Sequence, residues 1–595
     1  MRDVFNLLTQ SVKSPTLLLI LFVIVLVIDT FVIFKLREKV TNWKLRLPLL
    51  VNLTIPIGAY LAFTDQQDEM YIWASKIENF ILSGKLGVKL FDGQFGESSV
   101  SSLVFIVAAT FKTIFVVTTE QSLYITNVLA AIFTVLVSQV FFIRNNVRSL
   151  FSHTPAIFLI TSYGFISSIS MSFDVSFTLL YCQALFLISI KKQKLFTYQI
   201  ALLFGIAEWI RLEVLIFKVL FLVLIIFEVL RNRIKIQYAI KLLLLALAPS
   251  ALFILYKLWA FGGITPAMVH FKSVQMDPII FIRSANYYFV ALGPTFFVLF
   301  ICIAMLYFRD LSPKKLKIRG LASEFLHLYS KYWFFSGVLI LFLVPVYAGP
   351  DYYGPIYQRY LLTPTYLALC SIVWVHHKKF SNPEAKITVV KNRHKKTLEK
   401  ISVLSILMIL SVSANSFVTG WFLEQGGSLL NRPSRATCDQ LLGPALRDFW
   451  KSKSDRPLVI ATSEANGIAY SSSAKLLDMS GVVDSRNYPA SYQPMTSGNM
   501  YAKYQFKKSI HRERPSIIWP AYSESCSFFN PLSMHQKNME AQLQIIYEFN
   551  FTKHWFPTQN QLVSFGYCPH QIKLKKTVPA NPQASFYYLC APPEL

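Results

Sequence analysis

Long apolar runs alternate with short cationic stretches along most of the chain. "SPTLLLILFVIVLVIDTFVIF" (14–34) holds one ionisable residue, Asp29. A bilayer core takes roughly 20 apolar residues to cross, and this run is long enough. It lacks a small-residue cleavage pattern, so it is expected to be retained as a membrane helix. Similar runs lie near 47–63, 121–143, 154–171, 175–190, 197–211, 214–230, 242–260, 287–307, 332–348, 360–376 and 400–418. The pattern therefore predicts a mostly α, polytopic membrane fold of about twelve spans. "SSLVFIVAATFKTIFVV" (101–117) is also apolar but carries Lys112 near its centre. A lysine there is costly in a bilayer core, so this stretch is expected to be a helix lying on, or dipping into, the outer leaflet.

Beyond residue 420 the pattern changes. Ser, Asn, Pro and Tyr become frequent, and "RPLVIATSEANGIAY" reads as a strand, a turn, and then a helix or second strand. The expected organisation is a membrane domain over 1–419, with a first external loop at about 64–100, and a soluble α/β domain over 420–595.

Charge orients this arrangement. The chain has 595 residues, 54% apolar and 15% charged, with a formal net charge of +26. The cations fall in short clusters between apolar runs, such as "KLREKVTNWKLR" (35–46), "RNRIK" (231–235) and "RDLSPKKLKIR" (309–319). Clusters of this kind mark cytoplasmic loops and attract anionic lipid, which displaces the nucleic-acid reading that the net charge alone would invite. Reading 101–117 as a further span would put "RNNVR" (144–148) outside and break the alternation. With the clusters inside, 64–100 and the C-terminal domain face outward. Four of the seven cysteines, Cys438, Cys526, Cys568 and Cys590, fall in that outer domain. On an oxidising side they are candidates for two disulfides, with three pairings open.

The external turns collect ionisable groups at the membrane surface. The first, "TDQQDEMYIW" (64–73), holds Asp65, Asp68 and Glu69. "SMSFDVSF" holds Asp174, and "EWIRLEV" holds Glu208, Arg211 and Glu213. "FGGITPAMVHFKSVQMD" holds His270 and Lys272, and "AGPDYYGPIYQRYLLTP" holds Asp351 and Arg359. "DEMYIWASKIENF" is expected to be an amphipathic interfacial helix with Tyr71 and Trp73 at headgroup depth. Asp68 and Glu69 then open that helix, where acids are favoured as caps and by the helix dipole. A carboxylate at a membrane surface can also take a proton from an acceptor hydroxyl. Cations on the same side can hold a lipid phosphate as charge builds on it. A sugar carried on a polyprenyl phosphate would need both.

In their order these features resemble the C-type superfamily of membrane glycosyltransferases. They are most similar to the terminal arabinofuranosyltransferase family of mycobacterial cell-wall assembly and its bacterial relatives. The family's Asp-Asp-x-Tyr-Ile is matched by Asp68, Glu69, Tyr71 and Ile72, and its following Asn by Asn79. Its Gly-x-Glu-x-Pro-Leu turn is echoed by Asp174, and its Arg-Pro-Glu by Arg211 and Glu213. Gly262, Pro266 and Lys272 match a third motif; Gly349, Asp351, Arg359, Tyr360 and Pro364 match a fourth. "SEANGIAYSSSAKLLDMSGVVD" (463–484) resembles a motif of the family's external domain. The chain departs from the pattern at Glu69, at Ser75–Lys76 where an Arg is expected, at Ala267–Met268, and in an extra N-terminal helix.

The resemblance implies an inverting transferase in a bacterial inner membrane, working on the periplasmic face in cell-envelope biogenesis. It moves a sugar such as arabinofuranose from a polyprenyl-phosphate donor to an envelope glycan. Asp68, Glu69 and Asp174 are then the catalytic acids. Lys272, Arg359 and Arg211 bind the donor phosphate, and His270, Asp351, Glu213 and Tyr71 contact substrate. No motif demands a cofactor, a divalent cation beside the carboxylates is the one candidate, and no Cys/His spacing matches a zinc site. A protein or lipid A glycosyltransferase of the same superfamily is the nearest alternative. A lipid or glycan transporter is the alternative from another class, although no internal repeat of the transporter kind is visible.

Overall fold

The computed structural model describes residues 15–35, 51–61, 68–90, 92–97, 101–147, 149–170, 174–190, 195–263, 333–334, 336–341, 359–380, 435–462, 467–478, 513–519, 559–573 and 583–590. In chain order its helices begin with α1 (Pro15–Lys35), α2 (Thr54–Leu61, entered by a 3-10 turn, Val51–Leu53) and α3 (Asp68–Ser83). The hairpin β1 (Val88–Lys89) and β2 (Phe95–Gly96) leads to α4 (Leu103–Phe115) and α5 (Thr119–Arg144). Then come α6 (Ser149–Thr161), α7 (Tyr163–Ser170), α8 (Val175–Ile190), α9 (Tyr198–Gly205), α10 (Ala207–Ile210), α11 (Leu215–Leu230), α12 (Ile236–Phe261) and α13 (Arg359–Phe380). The C-terminal part contains α14 (Arg435–Lys451), β3 (Val459–Thr462), α15 (Gly467–Ser471), β4 (Lys475–Asp478), β5 (Ile517–Trp519), α16 (Gln559–Ser564), β6 (Tyr567–Lys573) and β7 (Gln583–Leu589).

The chain divides into two compact units. The first joins residues 1–62, 121–255 and 278–421. Among the described residues three helices are long and apolar enough to cross a membrane: Leu18–Lys35, Thr119–Arg144 and Ile236–Phe261. α1 is apolar on every side, and Leu19, Val27 and Phe31 stay exposed as lipid-facing residues do. Several expected spans are interrupted. The run 47–63 becomes a 3-10 turn and the short α2, 154–171 is divided at Ser162, and 197–211 is divided at Ile206. Freed backbone groups at such breaks need partners inside lipid. At the α9 end the Tyr181 hydroxyl donates to Leu203 O at 2.9 Å. Pro249 of α12 packs against Gly205, where a Cβ would meet its ring at 2.7 Å, so only glycine fits. The expected spans 287–307 and 400–418 lie outside the described residues.

Aromatic stacking fills this unit: Phe204 on Phe221 at 4.2 Å and Phe217 on Phe334 at 4.8 Å. Its buried polar groups join helices. The Asn52 amide donates to Asp29 Oδ1 and to Gln139 Oε1, each at 3.1 Å, linking α1, the 3-10 turn and α5. Such bonds hold membrane helices where hydrophobic burial cannot distinguish a helix from lipid.

The second unit joins residues 63–120, 256–277 and 422–595. Residues 63–120 thus belong with the C-terminal residues. Their sheet has the order β4-β3-β5-β7-β6. β3 pairs in parallel with β4 and β5, while β5–β7 and β6–β7 are antiparallel. "LVIAT" supplies the interior strand β3 because its residues are mostly branched and apolar, and Ile460 and Ala461 are fully buried. Ala461, Leu477, Ile518, Leu562 and Tyr567 form one core cluster, and burial pushes the Tyr567 phenol up. Leu90, just after β1, pairs in parallel with Leu476 of β4, so the β1–β2 hairpin covers an edge of the sheet.

The described C-terminal residues combine this sheet with the helices α14, α15 and α16. One disulfide, Cys568–Cys590, has a Cα–Cα distance of 5.6 Å and ties the β6–β7 pair. Cys438 lies in α14, and Cys526 is outside the described residues. Cys182 and Cys370 are buried free thiols.

Candidate functional site

Asp68 and Glu69 occupy the first turn of α3, as the sequence predicts. Tyr71, Ile72, Trp73, Ala74, Ser75, Lys76 and Ile77 are all buried. This corrects the expectation of an amphipathic helix with Tyr71 and Trp73 at headgroup depth. Protein instead of lipid covers residues 71–77 of α3. Tyr71 packs on Tyr470 of α15 with ring centroids 5.6 Å apart, and Trp73 packs on Phe105 of α4 at 5.9 Å. The Tyr470 hydroxyl reaches Glu120 Oε1 at 3.5 Å. Burial raises its pKa well above the ordinary tyrosine value, helped by the Glu120 and Glu78 charges, so it stays a neutral donor. Asn79 donates to Gly87 O at 2.8 Å, which holds the turn between α3 and β1.

In the first unit the structure brings three of the singled-out residues together. Arg211 Nη1 donates to Asp174 Oδ1 at 2.8 Å. Its Nε and Nη2 fork onto Glu213, at 3.1 Å and 2.5 Å to Oε1. The three side chains are between 12% and 22% exposed. The local backbone explains the fork. Arg211 is extended (φ −165°, ψ 149°) between α10 and the 3-10 turn Leu212–Val214, which turns residues 211 and 213 to one side. Asp174 precedes α8, and its carbonyl accepts from Thr178 N at 3.0 Å. A guanidinium shared by two carboxylates fixes both in place through charge-assisted bonds.

Glu208, three residues before Arg211 in the same motif, belongs to a different group. It accepts from Lys218 at 2.7 Å and from Ser250 at 2.9 Å, and Lys218 also bonds Ser250. Other polar groups went unnoticed in the sequence. Lys112 pairs with Glu78, and both bond Thr119. Lys257 pairs with Glu97, both buried. None of these pairs has a sequence signal, because the partners stand 7 to 160 positions apart. The lone lysine in an apolar run was the one visible hint at Lys112. Among the described residues no group of three His, Cys, Asp or Glu side chains could hold a metal ion.

Arg359 is the first residue of α13. His270, Lys272 and Asp351 lie outside the described residues. Asp68, Glu69 and Tyr71 belong to the second unit, and Asp174, Arg211 and Glu213 to the first.

No family model matches the chain. No curated protein matches it either. Among solved structures, it is similar to the crystal structure of ArnT from Cupriavidus metallidurans in the apo state. That likeness covers 92% of this chain and 99% of the other, with a TM-score of 0.44 and 10% identity, too loose to carry chemistry from one chain to the other.

Proposed function

We propose that this chain is a membrane glycosyltransferase that takes its sugar from a polyprenyl-phosphate donor on the external face. The observation that carries the reading is the surroundings of α3. The helix that opens with Asp68 and Glu69 is packed into the second unit through Tyr71–Tyr470, and the adjoining hairpin joins the sheet at Leu90–Leu476. A helix used only as a lipid-surface anchor would not need seven consecutive buried residues.

In the proposed reaction an acceptor hydroxyl attacks the anomeric carbon from the side opposite the phosphate. The new C–O bond forms as the sugar–phosphate bond breaks, so configuration inverts. The acceptor proton goes to Asp68, with Glu69 beside it, and the bonding pair leaves on the lipid phosphate. Lys272 and Arg359 are assigned to that phosphate. Arg211, already forked onto two carboxylates, orients Asp174 and Glu213. His270, Asp351 and Tyr71 complete the substrate contacts. Arabinofuranose and an envelope glycan are the donor sugar and acceptor that the sequence resemblance suggests; lipid A or protein is the alternative acceptor.

The test is a transfer assay in proteoliposomes with labelled polyprenyl-phosphate sugars, offered in turn with envelope glycan, lipid A and peptide acceptors, with and without a chelator. Asp68→Asn keeps the size and the capping oxygen but removes the basicity. Turnover should fall by roughly 100-fold or more, with the folded state retained. Wild-type rates for Asp68→Asn would reduce the acid pair to a helix cap. Failure to use any polyprenyl-phosphate donor would end the reading.

A further inference from the structure

α3 and α4 run side by side in the same direction. Trp73 and Lys76 meet Phe105, and further along Glu78 meets Lys112. The first half of α4 is covered: Val104, Phe105, Ala108 and Ala109 are buried. Beyond the Lys112–Glu78 pair the character reverses. Leu82 is 82% exposed, Ile114 65%, Phe115 60% and Val116 89%. Ile81 is exposed as well. The two helices therefore end together in a paired apolar tip.

Chain continuity and contacts show what surrounds that tip. Val116 takes a left-handed turn (φ 52°), and Thr119 then opens the membrane helix α5. Thr119 itself bonds Glu78 and Lys112. On the other side the turn that follows α3, residues 84–86, meets the last turns of the membrane helix α12. The Tyr256 hydroxyl accepts from Leu86 N at 2.7 Å and lies 3.3 Å from Gly84 O. Trp259 lies against Gly84, and Lys85 Nζ sits 5.2 Å over its ring. A Tyr, a Trp and a Lys at the end of a span are the groups that settle at headgroup depth.

We propose that the paired tips of α3 and α4 are a lipid-binding surface. Ile81, Leu82, Ile114, Phe115 and Val116 insert among the acyl chains of the outer leaflet, and Lys85 meets the headgroup phosphates. This narrows the expectation for 101–117: the body of the helix is packed on protein and only its end enters lipid. A second copy of this chain fits less well, because the tip adjoins the ends of two spans, where lipid is the neighbouring phase. The surface fixes the height of α3, whose first turn carries Asp68, but it holds whether or not Asp68 is catalytic.

The full chain is reconstituted in phospholipid vesicles with a nitroxide on Leu82→Cys, Phe115→Cys or, as an aqueous reference, Lys451→Cys, each with Cys182, Cys302 and Cys370 replaced by alanine. Collision with oxygen, which concentrates in lipid, is compared with collision with a water-soluble nickel chelate. The expected result is a ratio of oxygen to nickel collisions several-fold higher at 82 and 115 than at 451. A ratio at both positions equal to that at 451 places the tip in water and overturns the proposal. Low collision with both reagents places it against protein and overturns it equally. A Val116→Cys label in the same background guards against a local distortion at one site. An intact Cys568–Cys590 bond in each preparation reports that the external unit has folded.

Discussion

Replacing Arg211 by Met probes the charge cluster directly. The variant keeps most of the side-chain volume and removes the fork on Glu213 and the bond to Asp174. Opposite charges at such distances interact by about 4 kcal/mol at an effective dielectric of 20, before desolvation is subtracted. Removing one partner of a mostly buried pair typically costs about 3–5 kcal/mol, because the remaining charge is left uncompensated. Here two carboxylates are left, so the upper part of that range is expected. A second variant, Arg211→Met with Asp174→Asn and Glu213→Gln, removes all three charges together. It should recover most of the loss, since neutral amides in the same place no longer repel each other. The assay is thermal release of the buried thiols Cys182 and Cys370, followed with a thiol-reactive dye on purified protein. Unfolding of a chain of this size need not be two-state, so apparent midpoints are compared at one scan rate. Arg211→Met should melt well below the native chain and the triple variant close to it. A triple variant as unstable as Arg211→Met would refute the reasoning, because the cost would then come from lost packing and not from stranded charge.

Mass mapping without reductant should show Cys568–Cys590, and Cys438 joined to Cys526 as the remaining pairing. Replacing Cys568 and Cys590 by alanine should destabilise the β6–β7 region by about 3 kcal/mol for a sequence separation of 22, read as faster hydrogen exchange there. Gly443→Ala should cost about 1–3 kcal/mol, since its Cβ would fall 2.6 Å from the Ser471 carbonyl carbon; unchanged exchange protection in α14 and α15 would argue against that contact. His570 stacks on Phe449 at 4.5 Å, and burial, with Lys453 nearby, pushes its titration below the usual value. The folded state therefore binds this proton less readily than the unfolded one. Its contribution is present above about pH 6.5 and lost as pH falls through its lowered folded value. Hydrogen-exchange protection in β6, taken relative to the intrinsic rate at each pH, should fall on acidification, and His570→Gln should flatten that dependence.

Much of the architecture was legible in the sequence because it rests on local pattern. Strongly apolar runs such as 14–34 can only be stable in lipid or deep in protein, and α1, α5 and α12 are the result. "LVIAT" followed by "SEANGIAY" read as a strand and then a helix or second strand, and the structure has β3 and the helix α15, because branched apolar residues favour a buried strand and its backbone must then turn. The acids at 68 and 69 marked a helix start. Other features depend on what a residue meets, and no local pattern records that. Lys112 made 101–117 a poor span, but its partner Glu78 and the parallel packing of α3 and α4 come from contacts across 34 positions. The period of α3 suggested one wet face; the surroundings supplied by α4, α15 and the hairpin buried seven consecutive residues. Arg211 was one of three cations awaiting a phosphate, and the fold gave its fork to Asp174, 37 residues away, and to Glu213. Sequence alone determined which segments seek lipid and which water, since transfer free energy is a property of composition. Tertiary structure alone decided which charges face one another, since electrostatic partnership depends on distance in space and on the water that burial removes.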